Sequence, residues 1–221
     1  RHGLRSPRRG TIRAGGGAVT SAILYAAVYV VGWLLLVRRR PDGRPPRVTA
    51  WGAGLVALVA AGWVAQLLRP ALLDQGMRES AAVRSGQWWR LATAIVLQDG
   101  GWIGAAVNLV ALAVTVGLAG EVLTAWTGLL VVLLGGIAAN LLTVLTFGQP
   151  GAGSSMATMI LLVVAVLVGL RNPSWREAGL LVVLAALAGA LLARRDQHGL
   201  ALALALVSGV WLRRRRSPVT P

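Results

Sequence analysis

The feature that most constrains this chain is a series of apolar runs separated by short polar stretches. Each run has about 15 to 20 residues, close to the roughly 20 that a helix needs to cross about 30 Å of hydrocarbon. A membrane-spanning barrel would show alternating apolar and polar residues, and these runs do not alternate. Since the mean hydropathy is +0.69 and only 13% of the residues are charged, an ordinary soluble domain is excluded. The sequence predicts an all-α polytopic membrane protein.

Seven apolar runs set the domain organisation. The predicted spans lie near residues 18–37, 51–68, 101–118, 126–147, 155–170, 178–193 and 199–212. We divide the chain into a disordered basic arm at 1–17, an extra amino-terminal transmembrane helix at 18–37, a cytoplasmic basic linker at 38–49, a membrane domain at 50–212 and a basic cytoplasmic tail at 213–221. The arm is polar and rich in glycine and cannot bury a core, and the linker carries prolines, which end helices.

The net charge of +15 comes from arginine, because all 22 basic residues are arginine and none is lysine. The arginines occur in short blocks between apolar runs, which is typical of positive loops at a membrane surface and not of a nucleic-acid-binding surface. We therefore expect the lipid bilayer as a partner and no nucleic acid. The absence of cysteine excludes a disulfide framework and a thiolate nucleophile.

The placement of arginine also predicts an orientation in the membrane. If the linker at 38–49 is cytoplasmic, the six later spans return the cluster at 213–216 to the cytoplasmic side, so the two strongest positive clusters agree. The loops at 69–100, 148–154 and 194–198 then lie on the outer side. One observation conflicts with this orientation. It leaves the arginines of the arm on the outer side, whereas positive residues are enriched in cytoplasmic loops. We expect an integral protein of a bacterial plasma membrane.

Polar side chains inside apolar spans are costly, and each is therefore a candidate for function. Ser154 and Ser155 open one span after a glycine-rich stretch, and His198 opens the last span. His198 is the only histidine apart from His2 of the arm. By the predicted topology, the serines and His198 share the outer ends of their helices. A serine hydroxyl becomes a good nucleophile near neutral pH when a neighbouring base takes its proton, and His198 is the candidate base.

Further hydrogen-bond donors near Ser155 complete a candidate site. The first turn of a helix has N–H groups without intrahelical acceptors, and these groups can stabilise an oxyanion. Asn108, inside another apolar run, carries two amide donors. A packing role is the alternative, since serines near glycines join membrane helices and a histidine at a helix end caps it. The residues by themselves leave both interpretations open.

The same residues belong to a set that resembles the motifs of the rhomboid family of intramembrane serine proteases. The matching residues, in chain order, are Trp89 and Arg90 in the first outer loop, Asn108 in the following helix, Gly120 and Glu121 at its end, Gly153 and Ser155, and His198 followed by Ala201 and Ala205. Each motif is short, but their order and spacing agree with the family throughout residues 50–212.

The resemblance implies a rhomboid-like six-helix core, preceded here by one extra helix, and a Ser–His dyad that hydrolyses a peptide bond within or near the membrane. It implies Ser155 as the nucleophile and His198 as the general base, with Asn108 and the Ser155 backbone N–H as oxyanion donors. The structural motif residues that it implies are Trp89, Arg90, Glu121 and Gly153. The family implies transmembrane proteins as substrates, no metal and no organic cofactor.

The chain departs from the family at several positions. Met156 follows the candidate nucleophile, where the family usually has glycine or alanine, and Gly104 and Gln98 stand where it usually has histidines. These departures leave an alternative function, that of a catalytically weak or inactive rhomboid-like protein that binds membrane helices. A transporter is a third possibility, but the spans lack the paired carboxylates of a transporter site. Because both dyad residues are present, we rank the protease first.

Overall fold

The computed structural model describes residues 11–40, 47–170 and 172–216, and every regular element within these ranges is a helix. Seven helices coincide with the predicted spans, namely α1 (Thr11–Val37), α2 (Ala50–Leu68), α6 (Gly101–Ala119), α7 (Ala125–Thr146), α8 (Ser155–Gly169), α9 (Trp175–Ala193) and α10 (Gln197–Arg216). Three short helices connect α2 to α6, namely α3 (Ala71–Gly76), α4 (Ser80–Arg84) and α5 (Arg90–Val96).

Most of the long helices have the length and composition of membrane spans. Five of those described, α1, α2, α6, α7 and α9, include a segment long and apolar enough to cross a bilayer. α8 is apolar but has only 15 residues, and α10 ends in a run of arginines. The prediction of an all-α polytopic membrane protein is confirmed, with an amino-terminal helix beside the six helices of the predicted membrane domain.

α8 lies at the centre of the bundle. Every residue from Met156 to Val168 is buried, and the helix packs against α1, α6, α7 and α10. Since α8 is apolar on all sides, it gains most when neighbours cover all of its faces. Ala157 on α8 and Ala201 and Ala205 on α10 are almost fully buried. Their small side chains permit a close approach of the two helices.

α1 packs along α8 and α9 and also contacts α6. Trp33 Nε1 donates a hydrogen bond of 3.0 Å to Thr115 Oγ1 on α6. Tyr29 donates through its hydroxyl to the carbonyl oxygen of Ser155 at 3.3 Å. The amino-terminal helix is therefore joined to the membrane domain by polar contacts as well as by apolar packing.

The start of α1 corrects one prediction. The helix begins at Thr11, so the disordered arm predicted over 1–17 is wrong for residues 11–17. Once a long helix exists, each further residue adds a backbone hydrogen bond, and this offsets the low helix propensity of the glycines in that stretch. Residues 1–10 lie outside the described residues.

The end of α10 differs from the prediction in the same way. The helix continues through Arg216, so the first part of the tail predicted at 213–221 is helical. Arginine is a good helix former, and the Arg215 guanidinium lies 4.2 Å from the ring centroid of Trp211, which adds a cation–π contact. Residues 217–221, like residues 41–46 of the predicted linker, lie outside the described residues.

In three long helices of the bundle, a serine or threonine side chain caps the first turn. Thr49 caps α2 and Thr124 caps α7, each accepting a hydrogen bond from a first-turn backbone N–H. Ser174 and Glu177 form a capping box at the start of α9. These caps satisfy N–H groups that have no intrahelical acceptor, and they fix where each helix begins.

Charged and polar residues lie mainly at the two ends of the bundle. At one end, Arg39 pairs with Glu177 at 2.6 Å and Arg40 pairs with Glu121 at 2.8 Å. At the other end, hydrogen bonds join the α3–α5 segment, the loop before α8 and the turn before α10. The loops at 69–100, 148–154 and 194–198, which were predicted to share one side of the membrane, therefore meet at one end of the bundle.

Gly199 is a point of very close approach between α10 and the end of α9. A β-carbon at Gly199 would lie 2.5 Å from the backbone nitrogen of Leu192, a clash that no side-chain rotation relieves. We predict that Gly199→Ala lowers the free energy of unfolding by about 1 to 3 kcal/mol, the usual cost of overpacking. Thermal unfolding of the purified protein in detergent measures this change.

Gly189→Ala on α9 is the matched control for this prediction. Nothing lies within 4 Å of a β-carbon built at Gly189. We expect this variant to be stabilised by up to about 1 kcal/mol, because alanine has the higher helix propensity. A Gly199→Ala protein as stable as Gly189→Ala would contradict the close packing of α9 and α10.

Candidate active site

The structure brings the first residue of α8 and the second residue of α10 into contact. Ser155 Oγ lies 2.8 Å from His198 Nε2, although the two residues are 43 positions apart. Ser155 is partly exposed, whereas the His198 side chain is almost buried. A hydroxyl within hydrogen-bonding distance of an imidazole nitrogen is the arrangement that proton transfer requires. The two residues that the sequence selected therefore meet.

The neighbouring serine has different surroundings. Ser154 is 1% exposed, and its hydroxyl has no hydrogen-bond partner. Its carbonyl oxygen accepts the backbone N–H and the hydroxyl of Thr158, which fixes the first turn of α8. Of the two serines, Ser155 is the one whose hydroxyl contacts the imidazole.

Asn108 on α6 faces the same space as Ser155. Its Nδ2 donates a hydrogen bond of 2.7 Å to Gln98 Oε1, which uses one of its two amide hydrogens. A β-carbon at Gly153 would lie 3.2 Å from Asn108 Nδ2 and 3.7 Å from Ser155 Oγ. The amide and the hydroxyl therefore both border Gly153, whose lack of a side chain keeps the space between them open.

Gln98 is an unexpected member of this site. Gln66 holds its backbone, donating from Nε2 to the Gln98 carbonyl oxygen at 2.8 Å and accepting the Gln98 N–H at 3.0 Å. Gln98 Nε2 is buried without an acceptor. Leaving a buried donor unpaired costs about 1 to 3 kcal/mol, so such a group calls for an explanation, and a role in a functional site is one. The sequence signal for Gln98 was its place near Asn108, where the rhomboid family usually has a histidine.

A buried arginine joins the segments that carry Ser155 and His198. Arg78 is 1% exposed. Its guanidinium donates to Asn140 Oδ1 on α7, to Gln197 Oε1 at the start of α10 and to the carbonyl oxygen of Gln149 before α8. Burial lowers the pKa of Arg78 to about 10, although the charge of Asp99 acts in the opposite direction. The guanidinium therefore stays charged near neutral pH.

The loop before α8 is fixed at successive residues. Gly151 forms an isolated antiparallel bridge with Arg78. The Ala152 N–H donates to Asp99 Oδ2 at 2.9 Å. The Gly153 N–H donates to the carbonyl oxygen of Ala94 at 2.7 Å. Bonds from the α3–α5 segment thus set the path of the chain into Ser155.

Of the residues predicted as a structural motif, Arg90 and Glu121 form side-chain bonds, and not all of the four lie at this site. Arg90 Nη1 donates to the carbonyl oxygens of Asp74 and Met77 at 2.7 and 2.9 Å, which ties α3 to the start of α5. Trp89 immediately precedes α5, and its side chain is exposed. Glu121 lies at the opposite end of the bundle, where it forms the ion pair described above.

Two residues that were not expected at the site complete the surroundings of His198. Asp196 Oδ1 lies 2.9 Å from His198 Nδ1. Tyr25 of α1 donates its hydroxyl hydrogen to Asp196 Oδ2 at 2.5 Å, and its ring centroid lies 4.1 Å from that of His198. The position of Asp196 shortly before His198 was a usable sequence signal. Tyr25 lies in a distant apolar run that gave no such signal.

The side chains gathered here suit nucleophilic acyl transfer. Hydrogen bonds connect the Ser155 hydroxyl to the His198 imidazole and the imidazole to the Asp196 carboxylate. The Asn108 amide lies beside the hydroxyl. In the part of the chain that the structure describes, no group of three or more histidine, aspartate or glutamate side chains is arranged to hold a metal ion.

Comparisons with known proteins give no similarity from which a function follows. No family model matches the chain, and no curated protein and no solved structure matches it at a significant level. The geometry of the site and the motifs of the sequence are therefore the evidence on function.

The contacts of Arg78 generate a stability prediction. Arg78→Met keeps much of the side-chain volume but removes the donor from acceptors of three residues. Asn140 is buried and the other two residues are partly exposed, and an unpaired buried acceptor costs about 1 to 3 kcal/mol. We expect the free energy of unfolding to fall by about 1 to 3 kcal/mol, measured by thermal unfolding in detergent.

Arg84→Met is the control for this loss of charge. Arg84 is exposed and makes one bond, of 3.2 Å, to the carbonyl oxygen of Val144. We expect its effect to stay within about 0.5 kcal/mol, as for most surface substitutions. Equal losses in the two variants would show that the buried arginine does not join the segments of the site.

Proposed function

We propose that this chain is a rhomboid-type intramembrane serine endopeptidase, which cleaves peptide bonds within or near the membrane. The observation that carries the proposal is the 2.8 Å contact between Ser155 Oγ and His198 Nε2 at the starts of two membrane helices. The order of motifs along residues 50–212, which resembles that of the rhomboid family, supports the same function.

The first half of the reaction forms an acyl-enzyme. Ser155 Oγ attacks the carbonyl carbon of the scissile bond while its proton moves to His198 Nε2, and the carbonyl oxygen takes up the negative charge. When the tetrahedral intermediate collapses, the C–N bond breaks and the proton on Nε2 passes to the leaving amine. The products are an ester on Ser155 and a new amino terminus.

The second half releases the acyl group. A water molecule gives a proton to His198 Nε2 and attacks the ester carbon. The bond between that carbon and Ser155 Oγ then breaks, and the proton returns to Oγ. One water is consumed for each peptide bond, and no cofactor takes part. The partial exposure of Ser155 supports access for both the peptide and the water.

The negative charge that develops on the carbonyl oxygen needs donors held in position. Asn108 gives one amide hydrogen to Gln98 and keeps the other beside Gly153. The Ser155 backbone N–H lies in the first turn of α8, where N–H groups lack intrahelical acceptors and the helix dipole is positive. These two groups are the proposed oxyanion donors, and each such donor is worth about 10² to 10³ in rate.

The substrates that fit this site are single-span membrane proteins. The surrounding helices are apolar, so a transmembrane segment can approach through lipid. Its scissile bond must leave the helical state before attack, because in a helix the backbone groups are hydrogen-bonded to each other. Substrates with helix-destabilising residues near the membrane surface are therefore favoured.

The proposed location is a bacterial plasma membrane, with the active site facing the non-cytoplasmic side. The arginines at 38–40 and 213–216 lie at the ends of α1 and α10 away from Ser155. Positive residues are enriched in cytoplasmic loops, which supports a cytoplasmic position for that end of the bundle.

Labelling with a serine-reactive fluorophosphonate tests the proposed nucleophile. We expect the full-length protein in detergent to be labelled, Ser155→Ala to lose labelling and Ser154→Ala to retain it. His198→Ala should slow labelling by about 10³-fold or more, because the hydroxyl loses its base. The measurement is the second-order rate of covalent modification, with thermal unfolding as a check on folding.

Two outcomes would change this proposal. Labelling that survives Ser155→Ala and disappears in Ser154→Ala would move the nucleophile by one residue. If the wild type and every variant remain folded and unlabelled, the alternative function is favoured, that of an inactive rhomboid-like protein that binds membrane helices.

The oxyanion donor has a separate test. Asn108→Ala should slow fluorophosphonate labelling by about 10² to 10³-fold, because the phosphoryl oxygen occupies the same place as the developing oxyanion. Asn172→Ala is the control, since Asn172 is exposed at the opposite end of the bundle. Equal rates in the two variants would remove Asn108 from the mechanism.

A further inference from the structure

The ring of His198 is bonded at both nitrogens, and one partner lies outside the predicted dyad. Nε2 faces Ser155, whereas Nδ1 lies 2.9 Å from Asp196 Oδ1. The same carboxylate oxygen accepts the His198 backbone N–H at 3.0 Å. Asp196 therefore fixes the imidazole and the first turn of α10 together.

The carboxylate determines which nitrogen of His198 carries the proton. An ionised carboxylate only accepts hydrogen bonds, so Nδ1 must be the donor in this pair. Nε2 of the neutral ring is then unprotonated and accepts the Ser155 hydroxyl. Burial opposes the charge of Asp196, but hydrogen bonds from His198 and Tyr25 outweigh burial and hold the pKa of Asp196 well below its ordinary value. The carboxylate is therefore charged near neutral pH.

The second oxygen of Asp196 is held by α1, the helix outside the predicted membrane domain. The Tyr25 hydroxyl donates to Asp196 Oδ2 at 2.5 Å. The Tyr25 ring also lies against the His198 ring, with centroids 4.1 Å apart and planes inclined by 44°. One side chain of α1 thus contacts both the carboxylate and the imidazole, and this limits how far either group can turn.

We infer that Asp196, held by Tyr25 of α1, is a positioning residue that fixes His198 in the tautomer whose Nε2 accepts the Ser155 proton. This inference deepens the proposed function and rests on it for its catalytic meaning. The active unit then combines α1, α8 and the turn between α9 and α10. α1 lies outside the predicted membrane domain at 50–212, so that domain alone would lack Tyr25.

The tautomer of His198 can be observed directly, because the chain has only two histidines. Full-length protein labelled with ¹⁵N-histidine, in detergent and with His2→Gln to remove the second signal, reports which ring nitrogen carries the proton. We expect protonated Nδ1 alone in this background, and a mixture of tautomers when Asp196→Asn is added. Identical spectra with and without Asp196→Asn would overturn the inference.

Asp74→Asn is the matched control, since Asp74 is an exposed aspartate on α3. We expect it to leave both the spectrum and the labelling rate unchanged. Asp196→Asn should slow fluorophosphonate labelling by about 10³ to 10⁴-fold, as expected for loss of the acid that orients a catalytic histidine. Asp196→Glu keeps a carboxylate and should recover part of that rate.

Tyrosine variants separate the two contacts of α1. Tyr25→Phe removes one oxygen atom and keeps the ring, so it tests the hydrogen bond without disturbing the packing. We expect labelling to slow about tenfold, in keeping with the loss of a hydrogen bond to a charged group. Tyr25→Leu also removes the ring contact and should slow labelling further.

The outcomes distinguish this inference from the proposed function. If Asp196→Asn and Tyr25→Phe are labelled at the wild-type rate, the inference is overturned and the proposed function stands. If the wild type is not labelled but Asp196→Asn alters the tautomer of His198, the proposed function fails and the positioning contact stands.

Discussion

The buried guanidinium of Arg78 is the interaction on which the arrangement of the site depends. Three segments leave their helices at one end of the bundle, at 69–100, 148–154 and 194–198, where unpaired backbone groups in apolar surroundings cost several kcal/mol each. Arg78 lies in the first of these segments and bonds to the other two. A guanidinium offers five donors in a fixed plane, so it can join segments that an ammonium group could not hold in register. Ser155 and His198 follow shortly after the bonded residues.

The length of α8 adds a second constraint. Its 15 residues span about 22 Å, whereas the 22 residues of α7 span about 33 Å. α8 is therefore shorter than the long helices packed around it, and Ser155 is its first residue. Ser155 is partly exposed, whereas the His198 side chain beside it is almost buried. Hydrogen bonds and charges act more strongly in such partly buried surroundings than at an open surface. The chain thus combines a partly exposed hydroxyl with loops that hydrogen bonds join to one another.

The sequence predicted the fold more completely than it predicted the site. Apolar runs predicted every long helix, because crossing a bilayer requires only a local property of the sequence. Ser155 and His198 were predicted as partners, because counting spans brings their helix ends to the same side. Arg78 and Tyr25 were not, since their partners lie in other segments and only tertiary packing brings them together. Asp196 lies two residues before His198 in the sequence, but this spacing does not by itself predict a contact. The contact depends on the conformation of the turn between α9 and α10.

Cleavage of a single-span peptide by the reconstituted protein shows directly whether Ser155 attacks a peptide bond. The full chain and its Ser155→Ala variant, in vesicles of defined phospholipid, would be incubated with a transmembrane peptide that carries a helix-destabilising pair of residues near one surface. Mass spectrometry then identifies the products. With the wild type we expect two fragments whose masses sum to that of the peptide plus one water, and with Ser155→Ala we expect intact peptide. Cleavage that is equal with both proteins, or absent across a set of such peptides with a folded wild type, would contradict this expectation.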